Sequence, residues 1–217
     1  MNKLAREDEA QLIARSQRGD VDAFNQLVEQ YQQLMYGTVF RLLSDYDTAA
    51  DVTQDAFIAA YKAIKSYRGD ASFRSWLLRI GTNMACDHWR RVQRHPTASL
   101  DIIADEDEPQ TVSTFEALTT TDTESNPEAY ALSRELQAII EQGLNQLPLE
   151  QRTVLVLYDI QGLSYEEVAQ ATQTSLGTVR SRISRGRAHL RTILMKQEQK
   201  HGELFPYSQR LSNRKDS

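Results

Sequence analysis

Apolar residues return every three to four positions along most of this chain, and polar residues fill the gaps. Leu12 and Ile13, then Phe24, Leu27, Val28 and Tyr31, then the run from Leu34 to Leu43 follow a helical period. Residues 7–95 therefore read as successive helices. Arg18-Gly19-Asp20 is a break, with Asp20 or Asp22 as the cap of the next helix. Asp45-Tyr46-Asp47 is a second break. Asp51–Lys65 is a further helix, Ser66 to Asp70 a loop, and Ser72 to Arg94 the last helix of this unit, ended by His95-Pro96. A second helical unit begins at Asn126-Pro127-Glu128, with Leu132, Leu136, Ile139, Ile140 and Leu144 on one stripe. Pro148 opens another helix through Val154, Leu155, Leu157 and Tyr158, and Gly162 breaks it. Two short helices joined by a tight turn then fill Leu163–Arg191. No stretch alternates with a period of two, so the expected class is all-α.

Composition divides the chain. Residues 97–127 are rich in Thr, Ser, Asp and Glu and contain no Lys or Arg. They read as a flexible acidic linker. The expected plan is a helical domain over 1–96, the linker over 97–127, a helix-turn-helix domain over 128–196 and a polar tail over 197–217. The net charge of -5 hides a local excess. From Thr174 to Lys196 the chain has Arg180, Arg182, Arg185, Arg187, Arg191 and Lys196, and no acid. Cys86 is the single cysteine, which rules out an internal disulfide and fits a reducing compartment. The charged N-terminus lacks the apolar core of a signal peptide, and no apolar run is long enough to span a membrane. A cytoplasmic protein without membrane insertion is expected. His88, His95, His189 and His201 are scattered, and Cys86 with His88 is too few for a zinc site. No Gly-rich phosphate loop or nucleophile motif is present, so neither an enzyme, a metal nor a cofactor is expected.

The basic segment carries the strongest chemistry. With Ser175 as N-cap, Val179, Ile183, Gly186, Leu190, Ile193 and Leu194 share one stripe, expected to pack on the preceding helix through Val168 and Ala169. Ser181, Ser184, Arg185 and Ala188 take the opposite face, flanked by Arg180 and Arg182. Arginine bonds guanine edges in pairs, and small residues let a helix approach the groove floor. Arg187 and Arg191 sit laterally and suit phosphates, as does Thr178 beside the helix N-terminus. An arginine-rich face is more often plain solvated surface; the absence of any balancing acid favours duplex DNA here.

The N-terminal unit is more open to interpretation. Asp51, Asp55, Ile58 and Lys62 form a stripe with Gln54 beside it, which fits a protein-docking surface and a solvated face equally well. In the helix from Ser72, Phe73, Leu77, Ile80 and Met84 make the core stripe, while Trp76, Arg79, Asn83, Cys86 and Arg90 line another. Trp89, Arg91 and Arg94 extend that basic, aromatic character. Such a surface suits unpaired bases, which stack and hydrogen-bond. Core packing serves Trp76 and Trp89 as well.

Three segments stand in a telling order: DVTQDAFIAAYKAI, SYRGDASFRSWLLRIGTN, and LPLEQRTVLVLYDIQGLSYEEVAQATQTSLGTVRSRISRGRAHLR. Together they resemble the extracytoplasmic-function sigma factors, the small two-domain class of the sigma-70 family. The resemblance implies docking on the β′ clamp helices of core RNA polymerase through Asp51, Gln54, Asp55 and Ile58, with the β flap as a second polymerase contact. It implies that Ser66 to Arg94 melts and reads promoter −10 DNA, with Tyr67, Arg68, Trp76, Arg79, Asn83, Trp89, Arg90 and Arg91 at that surface. The loop Ser66–Ala71 would hold a flipped-out base with Asn83 beside it. It implies that Thr178, Arg180, Ser181, Arg182, Ser184, Arg185, Arg187 and Arg191 contact the −35 duplex. The acidic linker would run through the polymerase cleft toward the RNA exit path; a solubilising spacer would look the same. An anti-sigma factor is the implied regulator. A stand-alone helix-turn-helix regulator is the alternative, and it would need neither the docking stripe nor the melting aromatics.

Overall fold

The structure, a computed structural model, describes residues 3–94 and 127–201, with side chains over 9–94 and 136–197. The acidic linker and most of the polar tail lie outside the described residues. Eight α-helices make up the described fold: α1 Lys3–Gln17, α2 Val21–Leu43, α3 Tyr46–Ala63, α4 Phe73–Arg94, α5 Pro127–Asn145, α6 Leu149–Leu155, α7 Tyr165–Thr172 and α8 Leu176–His201. A 3-10 turn, Ile64–Ser66, follows α3, and α6 runs on into a π turn, Val156–Ile160. Among the described residues there is no strand.

Local chemistry sets the boundaries. Gly19, at φ 95°, turns the chain out of α1. The Asp20 carboxylate then accepts from the Ala23 amide at 3.1 Å and opens α2. Ser44 ends α2 in the left-handed region, and Asp45 at once caps the next helix by accepting from Thr48 N at 2.8 Å. Helix α3 therefore starts at Tyr46, not at Asp51. The apolar period is weak in that first turn, and the cap, not the period, decides the start. Leu27, Met35, Leu42, Ile64, Leu77 and Leu78 fill the core of α1–α4. Met35 reaches into the space left by Gly81, where a Cβ would overlap its sulfur, so α2 and α4 approach closely.

In the second unit Ser164 and Glu167 form a reciprocal capping box at the start of α7. Ser175 caps α8 by accepting from Thr178 N at 3.1 Å, as its position predicts. The apolar stripe of α8 does not rest mainly on α7. Val179 and Ile183 are buried, but Gly186 faces α6, where a Cβ would stand 3.1 Å from Leu155 Cδ1. Leu190 and Leu194 instead press on Gly143 of α5. Helix α7 spans eight residues and is too short to cover a stripe of this length.

The two units are packed on each other. Helix α4 lies along α7, and α2 touches α5 and α6. Arg152 of α6 is 6% exposed and donates to Leu42 O at 2.8 Å, Asn145 O at 2.6 Å and Leu147 O at 3.3 Å. Arg74 Nη2 donates to Gln161 Oε1 at 2.9 Å, Ser75 donates to the Glu167 carboxylate, and Arg41 pairs with Glu141 at 3.5 Å. Replacing Arg152 by Met should leave buried carbonyls without a donor at a net cost of about 2–4 kcal/mol, since each of the three bonds to the charged donor contributes ~1.5–3 kcal/mol and the removed desolvation of the guanidinium offsets part of the sum. Chemical denaturation checks this; an unchanged midpoint would mean that water replaces the guanidinium.

Candidate nucleic-acid interface

Helix α8 turns five of its eight expected contact residues outward. Arg180, Ser184, Arg185, Arg187 and Arg191 are exposed, while Thr178, Ser181 and Arg182 are half-buried. Arg185 folds back along its own helix, donating from Nε to Ser181 O at 3.3 Å and from Nη2 to Ser181 Oγ at 3.1 Å. The Arg180 guanidinium lies 5.5 Å from the centre of the Tyr165 ring, and Arg187 lies 5.5 Å from that of Tyr158. The two rings stack on each other at 4.5 Å. Arg187 also grips both oxygens of Asp159, with Nε to Oδ2 at 3.1 Å, and this pair holds the guanidinium pKa above its ordinary value. Tyr158, Asp159 and Tyr165 were not among the expected site residues. Asp159 stands 28 positions from Arg187, and no helical spacing links them.

On α4 the loop Ser66–Ala71 is built, not slack. Tyr67 donates from its hydroxyl to Ala71 O at 2.7 Å, and Gln17 of α1 donates to Tyr67 O at 2.7 Å and to Ile64 O at 3.2 Å. Gly69 supplies the left-handed residue at φ 82°. Beneath the loop Tyr67, Phe73 and Trp76 form a cluster with ring centres 5.3 to 5.6 Å apart. Trp76 is 8% exposed, so here it is a core residue and not a free stacking platform. Of the other residues expected at this surface, Arg68, Arg79, Arg90 and Arg91 are exposed, and Tyr67, Asn83 and Trp89 half-buried. A cleft of about 280 Å³ lies between the loop, Trp76 and Arg79 on one side and Glu167 and Gln170 of α7 on the other.

The second unit thus walls the first. Asn83, Cys86 and Arg90 of α4 share another cleft, about 250 Å³, with Thr153, Gln173 and Arg182. Cys86 is 8% exposed and its thiol is 3.7 Å from Thr153 Oγ1; burial pushes the thiol pKa up, with the Thr153 bond opposing. Burial also raises the Glu167 carboxyl, but hydrogen bonds from Ser75 and Ser164 outweigh it and leave the group below its usual value.

The residues expected to dock on polymerase, Asp51, Gln54, Asp55 and Ile58, are exposed, and Ile58 is 45% exposed. Gln54 and Ile58 line an apolar groove of about 600 Å³ with Val21, Phe24, Val28, Tyr36, Phe57 and Tyr61, between α2 and α3. Asp51 and Asp55 turn to the other side, into a cleft shared with His88 and Arg91 of α4. Among the described residues no cluster suited to a metal ion is found, and no helix is long and apolar enough to cross a membrane.

Glu167→Gln keeps the side-chain shape but weakens both the cap and the Ser75 contact, and should cost about 1 kcal/mol at neutral pH. Because the folded pKa of Glu167 is depressed, its contribution is present above the unfolded value and is lost as pH falls through the folded one. The gap between the two proteins should therefore begin to narrow as pH falls through the ordinary glutamate value, about 4.3, and close below the folded one, which paired melting curves across pH would read.

Known proteins match this arrangement. The Sigma-70 region 2 family matches residues 27–95, and the Sigma-70, region 4 family matches residues 137–190. The RNA polymerase sigma-H factor of Pseudomonas aeruginosa is 41% identical over 184 residues, covering 85% of this chain and 92% of that protein. The ECF RNA polymerase sigma-E factor of Escherichia coli (strain K12) is 42% identical over 177 residues, covering 81% and 88%. Among solved structures, CnrH in complex with the cytosolic domain of CnrY aligns with TM-score 0.60 at 26% identity over 87% of this chain and 98% of that one. The sigma factor RpoE bound to the anti-sigma factor NepR from Bartonella quintana shares the fold, with TM-score 0.59 at 23% identity over 79% and 96%. With both sigma-70 regions in order and relatives of this identity along most of its length, the chain belongs to the extracytoplasmic-function sigma factors of the sigma-70 family.

Proposed function

We propose that this sigma factor, acting in the cytoplasm, reads −35 duplex with α8 and unpaired −10 bases with α4 and the Ser66–Ala71 loop, while α2 and α3 dock on core RNA polymerase. The observation that carries the reading is the exposed, acid-free Arg/Ser face of α8, capped by Ser175 and held as the second helix of a two-helix unit. Arg180, Ser181, Ser184 and Arg185 are assigned to base edges. Thr178, Arg182, Arg187 and Arg191 are assigned to phosphates. On α4 and its loop, Tyr67, Arg68, Arg79, Asn83, Trp89, Arg90 and Arg91 take the single strand, and Trp76 supports the pocket from beneath. Asp51, Gln54, Asp55 and Ile58 meet the β′ clamp helices, the apolar groove beside Ile58 supplying the buried area. The β flap is assigned to the second unit.

The domain plan follows the same division, with 1–96 for docking and −10 DNA, 97–127 as acidic linker, 128–196 for −35 DNA, and 197–217 as tail. One promoter cannot meet both readers in the packed arrangement. The element names set their centres about 25 base pairs apart, roughly 85 Å of duplex at 3.4 Å per step. Loading on polymerase must therefore part α4 from α7. The complex that the sigma factor RpoE of Bartonella quintana makes with the anti-sigma factor NepR is the observation behind an anti-sigma partner for this chain as well.

Run-off transcription with purified core polymerase on a pool of promoter sequences tests the reading. Promoter-specific transcripts should appear only when the chain is added; DNA binding without programmed transcription would favour a stand-alone regulator. In the same assay Arg185→Ala should cost about 1–3 kcal/mol at one −35 position, and equal weakening on every sequence would count against a base contact. Ile58→Asp should abolish transcription and co-purification with core polymerase while leaving the fold intact, because a charge in a desolvated docking patch finds no partner.

A further inference from the structure

Resting on the reading of α8 as the duplex reader, we propose that Asp159 is a built-in counter-ion of the recognition helix. It acts as a phosphate surrogate that occupies Arg187 and sets the strength of backbone binding. Arg180 and Arg187 are seven positions apart on one flank of α8, two turns along the helix. Each lies on a tyrosine, and the tyrosines stack on each other, so the order in space is Arg180, Tyr165, Tyr158, Arg187. The column holds both guanidinium groups over aromatic rings before any ligand arrives.

The two arginines differ in charge balance. Arg187 makes two bonds to the Asp159 carboxylate, the forked geometry in which guanidinium also takes a phosphate. No ion pair to Arg180 is found among the described residues. Asp159 reaches α8 from the π turn Val156–Ile160, beside the stacked Tyr158. The pair is not buried in the core: the Arg187 side chain is 54% exposed and Asp159 34%. DNA phosphates can reach the same guanidinium, and a duplex that takes Arg187 brings its own negative charge against Asp159. The carboxylate therefore competes with phosphate and repels it. Both effects act on every sequence alike, so Asp159 lowers overall grip without touching base choice.

The test uses the full chain loaded on core polymerase. A promoter chosen by the run-off assay and a scrambled duplex of equal length are titrated at several salt concentrations. Asp159→Asn is nearly isosteric and keeps one acceptor for Arg187. It should steepen the slope of log K against log salt by about 0.9 and tighten binding about eightfold at 0.1 M salt relative to 1 M, equally on both duplexes. Asp159→Ser, with a shorter side chain, should do the same and guards against a folding defect in the first variant. Adding Arg187→Ala to Asp159→Asn should abolish the gain. An unchanged or shallower slope, or weaker binding, in folded Asp159→Asn protein overturns the proposal and makes Asp159 a plain support for Arg187. Failure of the unsubstituted holoenzyme to bind either duplex would instead overturn the reading of α8 on which the proposal rests.

Discussion

Arg152 holds a position that the rest of the molecule depends on. Its guanidinium is buried, and among the described residues no carboxylate pairs with it. Its partners are carbonyls at Leu42 near the end of α2, at Asn145 that ends α5, and at Leu147 beyond it. Helix C-termini carry partial negative charge and unsatisfied acceptors, so a cation can be buried against them without a formal counter-ion. Burial pulls its pKa below the usual value, but an arginine stays charged in a protein. This clamp seats α6 between the two units. The π turn, α7 and α8 follow from α6 directly. Shifting α6 would shift the tyrosine column and the α7 wall of the cleft beside the Ser66–Ala71 loop together.

Much of this was legible in the chain. Asp20 and Ser175 announce helix starts because a short oxygen side chain before an apolar period has few other uses. The stripe of α8 and its acid-free far face follow from a 3.6-residue repeat. Other features were not legible, for reasons that are local. Trp76 lies on the same helical stripe as Arg79 and Asn83, and spacing alone does not say which member turns under Tyr67. Arg152 sits in LPLEQRT beside Glu150, where it looks like one more surface charge. The π turn VLYDI has the composition of ordinary helix. The pairing of Asp159 with Arg187 is a tertiary fact, set by how α6 crosses α8.

The seam between the units is crossed by polar contacts. Ser75, Arg74, Gln161 and Glu167 exchange hydrogen bonds across it, and Cys86 meets Thr153. Bonds of this kind can be traded for water at small net cost where water reaches the same donors and acceptors. Such a seam suits the parting of the two units proposed for loading on polymerase. The tyrosine column belongs to the second unit alone and stays whole through either state.

The single thiol of the chain lies in that seam. Cys86 is shielded on one side by its own helix and on the other by Thr153, and its raised pKa keeps it in the unreactive thiol form. Parting the units would strip away the second shield and part of the burial that raises the pKa. Both changes favour thiolate attack on a small alkylating reagent. The molecule thus carries a native chemical clock for the proposed opening, one that needs no engineered label and reports from a position between α4 and α6.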